Sequence, residues 1–571
     1  MQTKIYTSPI FIIATSVIIA ISLSEAGDAQ ILNPSIRLPT LPELTPIPIQ
    51  PFPLKSIPVK PTPFESSPES IKTITVHHFE VMGSSIFSQA EIDGATAEYL
   101  NKPITFNQLL KARDAITDLY VKNAYITTGA YIPEDQPPVS IEGGIVRINI
   151  IEGRVEDIRV VGNKRLNPNY IRSRIQLATM APVNQERLVS GLRQLQLDPL
   201  FSNVSAELSA GNQIGSNVLE VKVTENKSFT SQVSTENNRS SSIGTWQRRI
   251  QATEGNLLGL GDSLTLAYTN TQGSNTIDGS YVIPISSHNT TLSFNAGTTS
   301  STVIEKPFSK LDILSQSRYY EISLRQPIYQ KVTDKKATEF TIGLAASRIE
   351  GQTSLLNTPF PLSVGADEQG QTRVSALRFF QEYSQRSNVG VLSFRSQFNL
   401  GLNLFNSTVN SNGPDSRFLS WKGQARWFHR LGDESALVIR GDIQIANREL
   451  LPLEQFGLGG ANSLRGYRQD VLLSDNGAVS SVELQIPIIR LGKTLGVIQA
   501  TPFIDIGRAW TNNAVNNLDQ STLLSTGLGF QWQAKNFSAK FDWGIPLIKT
   551  NSRKSNLQEN GFYFTFRYNI F

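Results

Sequence analysis

Apolar positions along this chain follow different periods in different regions. Between residues 73 and 226, short alternating runs are interrupted by stretches whose apolar residues recur every three or four positions. In FNQLLKARDAITDLYVKNAY, Leu109, Ala112, Ile116 and Leu119 share one helical face, as Leu188, Leu192 and Leu195 do in VNQERLVSGLRQLQ. Each helical stretch follows a strand that closes on a Val-x-Gly step, ITVHHFEVMG at Gly83 and VEDIRVVG at Gly162, with polar residues leading into helix. Two further strands follow each time, ITTGAYIP and GGIVRINIIEG in the first unit, SNVSAELS and NVLEVKVTE in the second. The shared order β-α-α-β-β, over about 75 residues, predicts two small α+β modules in tandem, at 73–152 and 153–226.

From 227 to 571 helical periodicity fades, and alternating segments separated by Gly, Asn, Ser and Asp take over. Leu264, Leu266 and Tyr268 share a face in SLTLAYTN. In ALVIRGDIQIA, Leu437, Ile439, Ile443 and Ile445 oppose Arg440, Asp442 and Gln444, and in FLSWKGQARWF, Lys422, Gln424 and Arg426 oppose Leu419, Trp421, Ala425 and Trp427. A soluble sandwich alternates too. Segments of about 8–11 residues suit a tilted membrane crossing. Aromatics near segment ends suit an interfacial girdle, and charges on the polar face suit a wet lumen. In lipid an open sheet edge has no partner for its amides, so such a sheet must close. At roughly 20 to 22 residues per strand and connection, 227–571 predicts about 16 antiparallel strands.

The N-terminus adds a compartment. MQTKIYTSPIFIIATSVIIAISLSEAGDAQ, with Lys4, an apolar run and small residues at Ala26 and Ala29, has the layout of a secretory signal peptide over 1–29. Residues 30–72 are dense in proline, which forbids regular helix and favours an extended linker. The chain has no cysteine, which removes disulfides and thiol nucleophiles. A net charge of +4 without a long basic tract argues against a nucleic-acid partner.

Enzyme chemistry finds no foothold. There is no GxSxG, GxxxxGK[ST] or HExxH, and His77, His78, His288 and His429 lack ligands at metal-binding spacing. GNLLGLGDSLTL sits between strands and opens no helix, so it reads as a turn rather than a phosphate loop. No catalytic residue, metal or cofactor is expected.

One loop stands out. FGLGGANSLRGYRQD, 456–470, has no packing stripe, yet holds Leu464-Arg465-Gly466-Tyr467; downstream, PFIDIGRAW presents Phe503, Asp505 and Gly507. With INIIEGRVEDIRVVGNKRL and GNLLGLGDSL, these resemble the two-partner secretion transporters, the TpsB or hemolysin secretion/activation proteins. That family belongs to the superfamily of the Bam-type assembly barrels. The resemblance covers nearly the whole chain after residue 30. It implies a 16-stranded outer-membrane barrel, two periplasmic polypeptide-transport-associated (POTRA) domains, and a sixth extracellular loop folded into the lumen. There Arg465 would pair with Asp505; a carboxylate meeting a guanidinium in bidentate geometry is what such a lumen would favour. Gly466 would allow the tight turn and Tyr467 would wedge a ring against the wall. Some members carry an N-terminal plugging helix, which the prolines here argue against. The C-terminal Phe571 reads as an assembly signal, although it is out of step with Phe562, Phe564, Phe566 and Tyr568.

The function expected is export of a large, unfolded partner protein bearing an N-terminal secretion domain, without nucleotide. Capture would occur by strand addition to a POTRA sheet edge, with ITTGAYIP (Ile126, Tyr131) and SNVSAELS (Val204, Leu208) as candidate edges. Outer-membrane lipid and, during biogenesis, the barrel assembly machinery are the other partners. An assembly insertase of the same superfamily is the alternative, and a passive porin a weaker one.

Overall fold

The computed structural model describes residues 54–56, 73–136, 144–492, 494–512, 521–550 and 555–571. The expected signal peptide and most of the proline-rich segment lie outside them. The described chain divides at residue 226 into two compact units.

The N-terminal unit holds two α+β cores. In the first, strand β3 (His78–Met82) pairs in parallel with β6 (Ile145–Ile151), and β5 (Gly129–Tyr131) lies antiparallel on the other side of β6; β2 (Thr73–Thr75) and β4 (Pro103–Thr105) are short and pair with each other, while β1 (Leu54–Ser56) belongs to the sheet of the second core. Helices α1 (Gln89–Thr96) and α2 (Phe106–Lys122) each start at a capping box, Ser88 with Glu91 and Thr105 with Gln108. Leu109, Ala112 and Ile116 are buried as their spacing predicts, but Tyr120 rather than Leu119 completes the buried face. The Tyr120 hydroxyl reaches Glu152 at 2.9 Å, so the larger ring is buried without an orphaned polar atom.

The second core repeats the plan with β7 (Arg154–Val161), α3 (Pro168–Ala178), α4 (Gln185–Gln196), β8 (Phe201–Ala210) and β9 (Ser216–Glu225). Leu188, Leu192 and Leu195 pack into it. The repeat extends to single atoms. Gly83 and Gly162 both have φ +89°, and a Cβ there would stand 2.4 Å from the Ile150 carbonyl oxygen and 2.3 Å from that of Val223. No L side chain fits such a turn. Two residues past each glycine, a backbone N–H donates to a carboxylate two residues past that carbonyl: Ser85 to Glu152 and Lys164 to Glu225, both at 2.7 Å.

The candidate edges differ from their sequence reading. ITTGAYIP forms strand only at Gly129–Tyr131, at the edge of its sheet; Ile126 lies in the turn before it, and Tyr131 is exposed. The outer edge of β8 is occupied. The strand β1, from the proline-rich segment, pairs with it in parallel, Leu54 with Ala206 through Ser56 with Leu208. Val204 and Leu208 point into the core, so these side chains are not available to a partner.

The C-terminal unit is a closed antiparallel barrel of sixteen long strands. They are β10 (Phe229–Glu236), β11 (Gln247–Gly255), β12 (Ser263–Asn270), β13 (Ser274–Pro284), β14 (Thr291–Thr302), β15 (Leu314–Val332), β16 (Lys336–Leu355) and β18 (Gln371–Ser387). The wall continues through β19 (Gly390–Leu402), β20 (Leu419–Arg430), β21 (Ala436–Ala446), β24 (Asn476–Arg490), β25 (Val497–Trp510), β26 (Ser521–Gln533), β27 (Phe537–Pro546) and β28 (Phe562–Asn569). The two-residue β17 (Thr358–Pro359) folds back on β16, while β22 (Phe456–Leu458) and β23 (Leu472–Ser474) form a ribbon within the loop after β21. The ring closes where β10 meets β28, Gln232 opposite Asn569 and Glu236 opposite Thr565. GNLLGLGDSL is the turn between β11 and β12.

Strands reach 20 residues in β16, longer than the alternating cores suggested, because they continue past the apolar band into polar extensions. The untidy C-terminal phase also resolves. Phe562, Phe564, Phe566 and Tyr568 keep step within or at the end of the ladder, which stops at Asn569; Phe571 lies beyond it, its ring 6.0 Å from that of Phe229 on β10.

Glu225 offers a test of this turn. Burial pushes its carboxyl up, but the backbone N–H groups of Lys164, Leu166 and Arg165 outweigh that and hold it below its ordinary 4.5. A depressed folded-state pKa contributes stability above the unfolded value, and that contribution is lost as pH falls through the folded one. Glu225→Gln should therefore cost about 1 kcal/mol at neutral pH. Hydrogen exchange of the β7 and β9 amides at pH 7 and below 4.5 should show the difference from wild type shrinking in acid.

Candidate functional site

The loop between β21 and β24, residues 447–475, is the sixth at its end of the barrel, and it turns inward. Its apolar residues decide where it lies. Leu458, Leu464 and Tyr467 are buried against Val479 of β24, Ala509 of β25 and Leu523 of β26, a small dry core on the lumenal wall. Gly507 makes room for it: a Cβ there would come 2.6 Å from Leu458 Cδ1 and 3.1 Å from Leu464 Cδ1.

That packing carries Arg465 to the wall, with 1% of its surface left exposed. Its Nε donates to Asp505 Oδ2 and its Nη2 to Asp505 Oδ1, both at 2.9 Å, and its backbone N–H reaches Oδ2 at 3.0 Å. The fork geometry is the one a guanidinium and a carboxylate form best. Nη1 donates to Glu483 Oε2 at 2.6 Å and lies 3.5 Å from Asp542 Oδ1, while Nη2 also reaches Ser481 Oγ at 3.1 Å. Phe503 stacks beneath, its ring centroid 3.3 Å from the guanidinium carbon. Phe503, Asp505 and Gly507 thus present a flat ring, an anion and a gap along one face of β25, as period-two alternation requires.

The neighbouring motif residues fix the backbone. Gly466 has φ +92°, and a Cβ on Gly544 of β27 would come 2.4 Å from its nitrogen, so glycine faces glycine at the closest approach. The Gly466 N–H donates to the Tyr563 hydroxyl at 2.9 Å, and that hydroxyl in turn donates to the Tyr467 carbonyl at 2.5 Å. The Tyr467 hydroxyl sits 2.8 Å from the Leu524 carbonyl and 2.7 Å from that of Ile548.

Sequence reasoning missed the rest of the anchorage. Lys540 on β27 bridges Glu483 at 2.9 Å, offsetting part of the negative charge around Arg465. Farther around the barrel, Arg378 on β18 holds Glu454, in the limb of the loop that leaves β21, through Nη2–Oε1 at 2.6 Å and Nη1–Oε2 at 3.2 Å. Both side chains are essentially inaccessible. Here the wall supplies the cation and the loop the anion, the reverse of Arg465 and Asp505. At the tip, Arg468 meets Glu305 at 2.7 Å and Glu559 at 3.3 Å, on the connections after β14 and β27. Period-two alternation along β24 and β18 puts Glu483 and Arg378 on the lumenal face, but nothing in the sequence pairs either of them with the loop.

Removing one partner of a buried pair strands the other, at about 3–5 kcal/mol. Arg465→Ala should therefore release the loop tip. Because the chain has no cysteine, a single Ser463→Cys reports loop position cleanly. Maleimide labelling from outside whole cells should be slow with Arg465 present and at least about tenfold faster without it. The second clamp has its own check. Arg378→Glu should loosen the limb reported by a cysteine at Gln455, and Arg378→Glu with Glu454→Arg should restore much of the protection. Labelling rates unchanged by any of these substitutions would remove the clamps from the account.

With this geometry in view, relatives are informative. Residues 215–532 match the family described as haemolysin secretion/activation protein ShlB/FhaC/HecB, and residues 74–153 match the ShlB-type POTRA domain. The outer membrane transporter CdiB of Dickeya dadantii (strain 3937) is 22% identical over 485 residues, covering 83% of each chain. The hemolysin transporter protein HpmB of Proteus mirabilis is 23% identical over 512 residues, covering 85% of each. Among solved structures, CdiB from Escherichia coli superposes with a TM-score of 0.66 at 20% identity, over 90% of this chain and 94% of that one, a likeness of fold. The protein is an outer-membrane barrel with POTRA domains in the periplasm, of the kind that secretes partner proteins across that membrane. An inward sixth loop whose arginine grips the F-x-D-x-G strand, on a chain that matches over more than half its length, makes this protein a member of the haemolysin secretion/activation (ShlB/FhaC/HecB) family.

Proposed function

We propose that this protein exports one or a few large partner exoproteins, unfolded, through its barrel to the cell surface and without nucleotide. The observation that carries this reading is the clamp itself. A pore for small solutes needs no loop fastened at Arg465, Arg378 and Arg468, nor tandem POTRA domains ahead of it. Fastening by ion pairs and hydrogen bonds around one small apolar contact leaves a loop that can be held or released as a unit. Lumenal walls lined by polar side chains accept an extended chain whose backbone groups still need partners. The relatives' names describe transporters of hemolysin and of heme/hemopexin, which fits a large secreted protein as cargo.

Capture by strand addition is supported best at β5, which stands at a sheet edge with Tyr131 exposed. At β8 an arriving strand takes the place of β1, so main-chain hydrogen bonds are exchanged rather than added. Barrel assembly machinery and outer-membrane lipid remain the partners of biogenesis. An assembly insertase is the competing reading.

Deleting the protein and profiling both the medium and the outer membrane separates the two. The export reading expects loss of one or two very large extracellular proteins with other barrels at normal abundance. General depletion of outer-membrane barrels would instead establish the insertase, and an unchanged secretome would sink export. Arg465→Ala in the chromosomal copy should lower secretion of the same proteins at equal barrel abundance.

A further inference from the structure

Alternation sends every second side chain of the barrel outward, and on three adjoining strands the outward row changes character at one level. Along β16, Phe340, Ile342, Leu344 and Ala346 face the lipid, and Arg348 is the first polar residue beyond them. On β15 Arg318 follows Tyr320, and on β18 Arg373 follows Ser375. Because β10 continues directly from the periplasmic POTRA domains, the strand ends that carry these arginines, like the sixth loop, face the cell exterior.

Beside Arg348 the lipid-facing wall holds a groove of about 680 Å³. Its floor follows one register row, in which Gly279 opposes Ala296, Ala296 opposes Tyr320, and Tyr320 opposes Arg348. Small side chains at Gly279, Ala296 and Ala346 set this floor back between Phe294 and Leu377. The connection after β19 folds over the outer face at the groove's end. There the Ser375 hydroxyl donates to the Leu404 carbonyl at 3.1 Å, and Arg348 Nη1 donates to Ser407 Oγ at 3.2 Å. Ser375 Oγ and Glu350 Oε1, both 3.0 Å from Arg348, hold the guanidinium against the wall. The fold leaves Phe405 at φ +54° with 81% of its surface exposed, a costly posture for a bulky ring unless apolar solvent covers it.

The rim above the groove is basic. Glu350 lies between Arg318 and Arg373 in one row across β15, β16 and β18. Its carboxylate is turned to Arg348, Asp367 stands 3.6 Å from Arg373, and Arg318 makes no hydrogen bond or ion pair among the described residues. Three cations therefore share two carboxylates. Arg318 and Arg348 are diagonal neighbours, about 7–8 Å apart at the backbone, so both side chains can reach one anion. A cation on the lipid face of a barrel lowers stability unless it lies near the interface and finds a partner there.

We propose that this groove seats an anionic lipid of the outer leaflet, with an acyl chain over Ala296 and Gly279 and the headgroup phosphate between Arg318 and Arg348. A guanidinium pair suits a phosphate, and basic residues at a membrane-spanning wall attract anionic headgroups. The inference rests on the membrane setting of the barrel and is independent of what the barrel exports.

The test titrates the full-length protein in detergent with phosphatidylglycerol or with phosphatidylcholine of the same chains, and counts bound lipid by native mass spectrometry. Phosphatidylglycerol should bind at least about tenfold more tightly, and R318Q/R348Q should remove that preference. Equal binding of the two lipids, or a preference that survives in the double variant, overturns the proposal. If the double variant does not fold, R318Q decides alone, since Arg318 holds no partner whose loss could disturb the wall. It should weaken phosphatidylglycerol about fivefold at an unchanged melting temperature, and unchanged affinity would overturn the site. A296F fills the floor without touching a charge. It should weaken phosphatidylglycerol at least about threefold, and retained affinity would remove the groove as the seat of the chain. Excess inorganic phosphate should leave the lipid bound; its release by phosphate alone would reduce the site to an anion contact and overturn the lipid.

Discussion

A guanidinium buried in a barrel wall is the constraint on which the rest of this structure depends. Arg465 is nearly inaccessible, and a charge in that position is tolerable only if its donors and its field are both answered. Asp505 answers with two oxygens, Glu483 with a third, Ser481 with a hydroxyl and Phe503 with its ring face. Those groups come from β24 and β25, so the arrangement exists only once these strands have paired in the right register. A slip of one residue would turn Asp505 to the lipid. The loop therefore reports on the barrel, and the barrel on the loop.

The same reasoning explains what could be read in advance and what could not. Arg465 and Asp505 were legible because each sits in a short motif that resembles a known family's, and the glycines of those motifs have a mechanical purpose, Gly466 at a positive φ and Gly507 beneath two leucines. The two POTRA cores were legible because helical spacing and the Val-x-Gly turn recur, and the atoms around Gly83 and Gly162 superimpose in kind. Glu483, Arg378 and Glu454 were not legible. Their partners are 18 and 76 residues apart in the chain, and alternation assigns a side chain to a face without saying what stands across the lumen. Strand ends were obscure for a related reason: beyond the apolar band the polar extensions of β15 and β16 lack the contrast on which periodicity depends. The occupied edge of β8 was hidden too, because a three-residue parallel pairing leaves no pattern in a proline-rich sequence.

The polarity of the clamps carries a further consequence. At Arg465 the loop brings the cation to an acidic wall; at Arg378 the wall brings the cation to an acidic loop residue. A loop shifted along the lumen could not exchange one site for the other, since like would then meet like. Opposite signs at the two ends define a single seating, as complementary charges do at protein interfaces. Arg468, gripping Glu305 and Glu559 on separate connections, ties that seating to the rim at the loop's own end of the barrel.

Charge on the wall then follows from where the loop sits. Strands that receive Arg465 must be acidic, or its burial has no counterweight, and the carboxylates of β24, β25 and β27 provide it. The adjoining strand meets the same cluster from its basic side: Arg440 on β21 donates to Ser481 Oγ at 3.2 Å, the hydroxyl that Arg465 also reaches. Where the loop leaves β21, Glu454 runs from Gln444 on that strand to Arg378 on β18, and its carboxylate meets a cation of the wall. The loop thus lies along the wall from β18 to β25, and the sign of the wall reverses beneath it where the sign of the loop reverses.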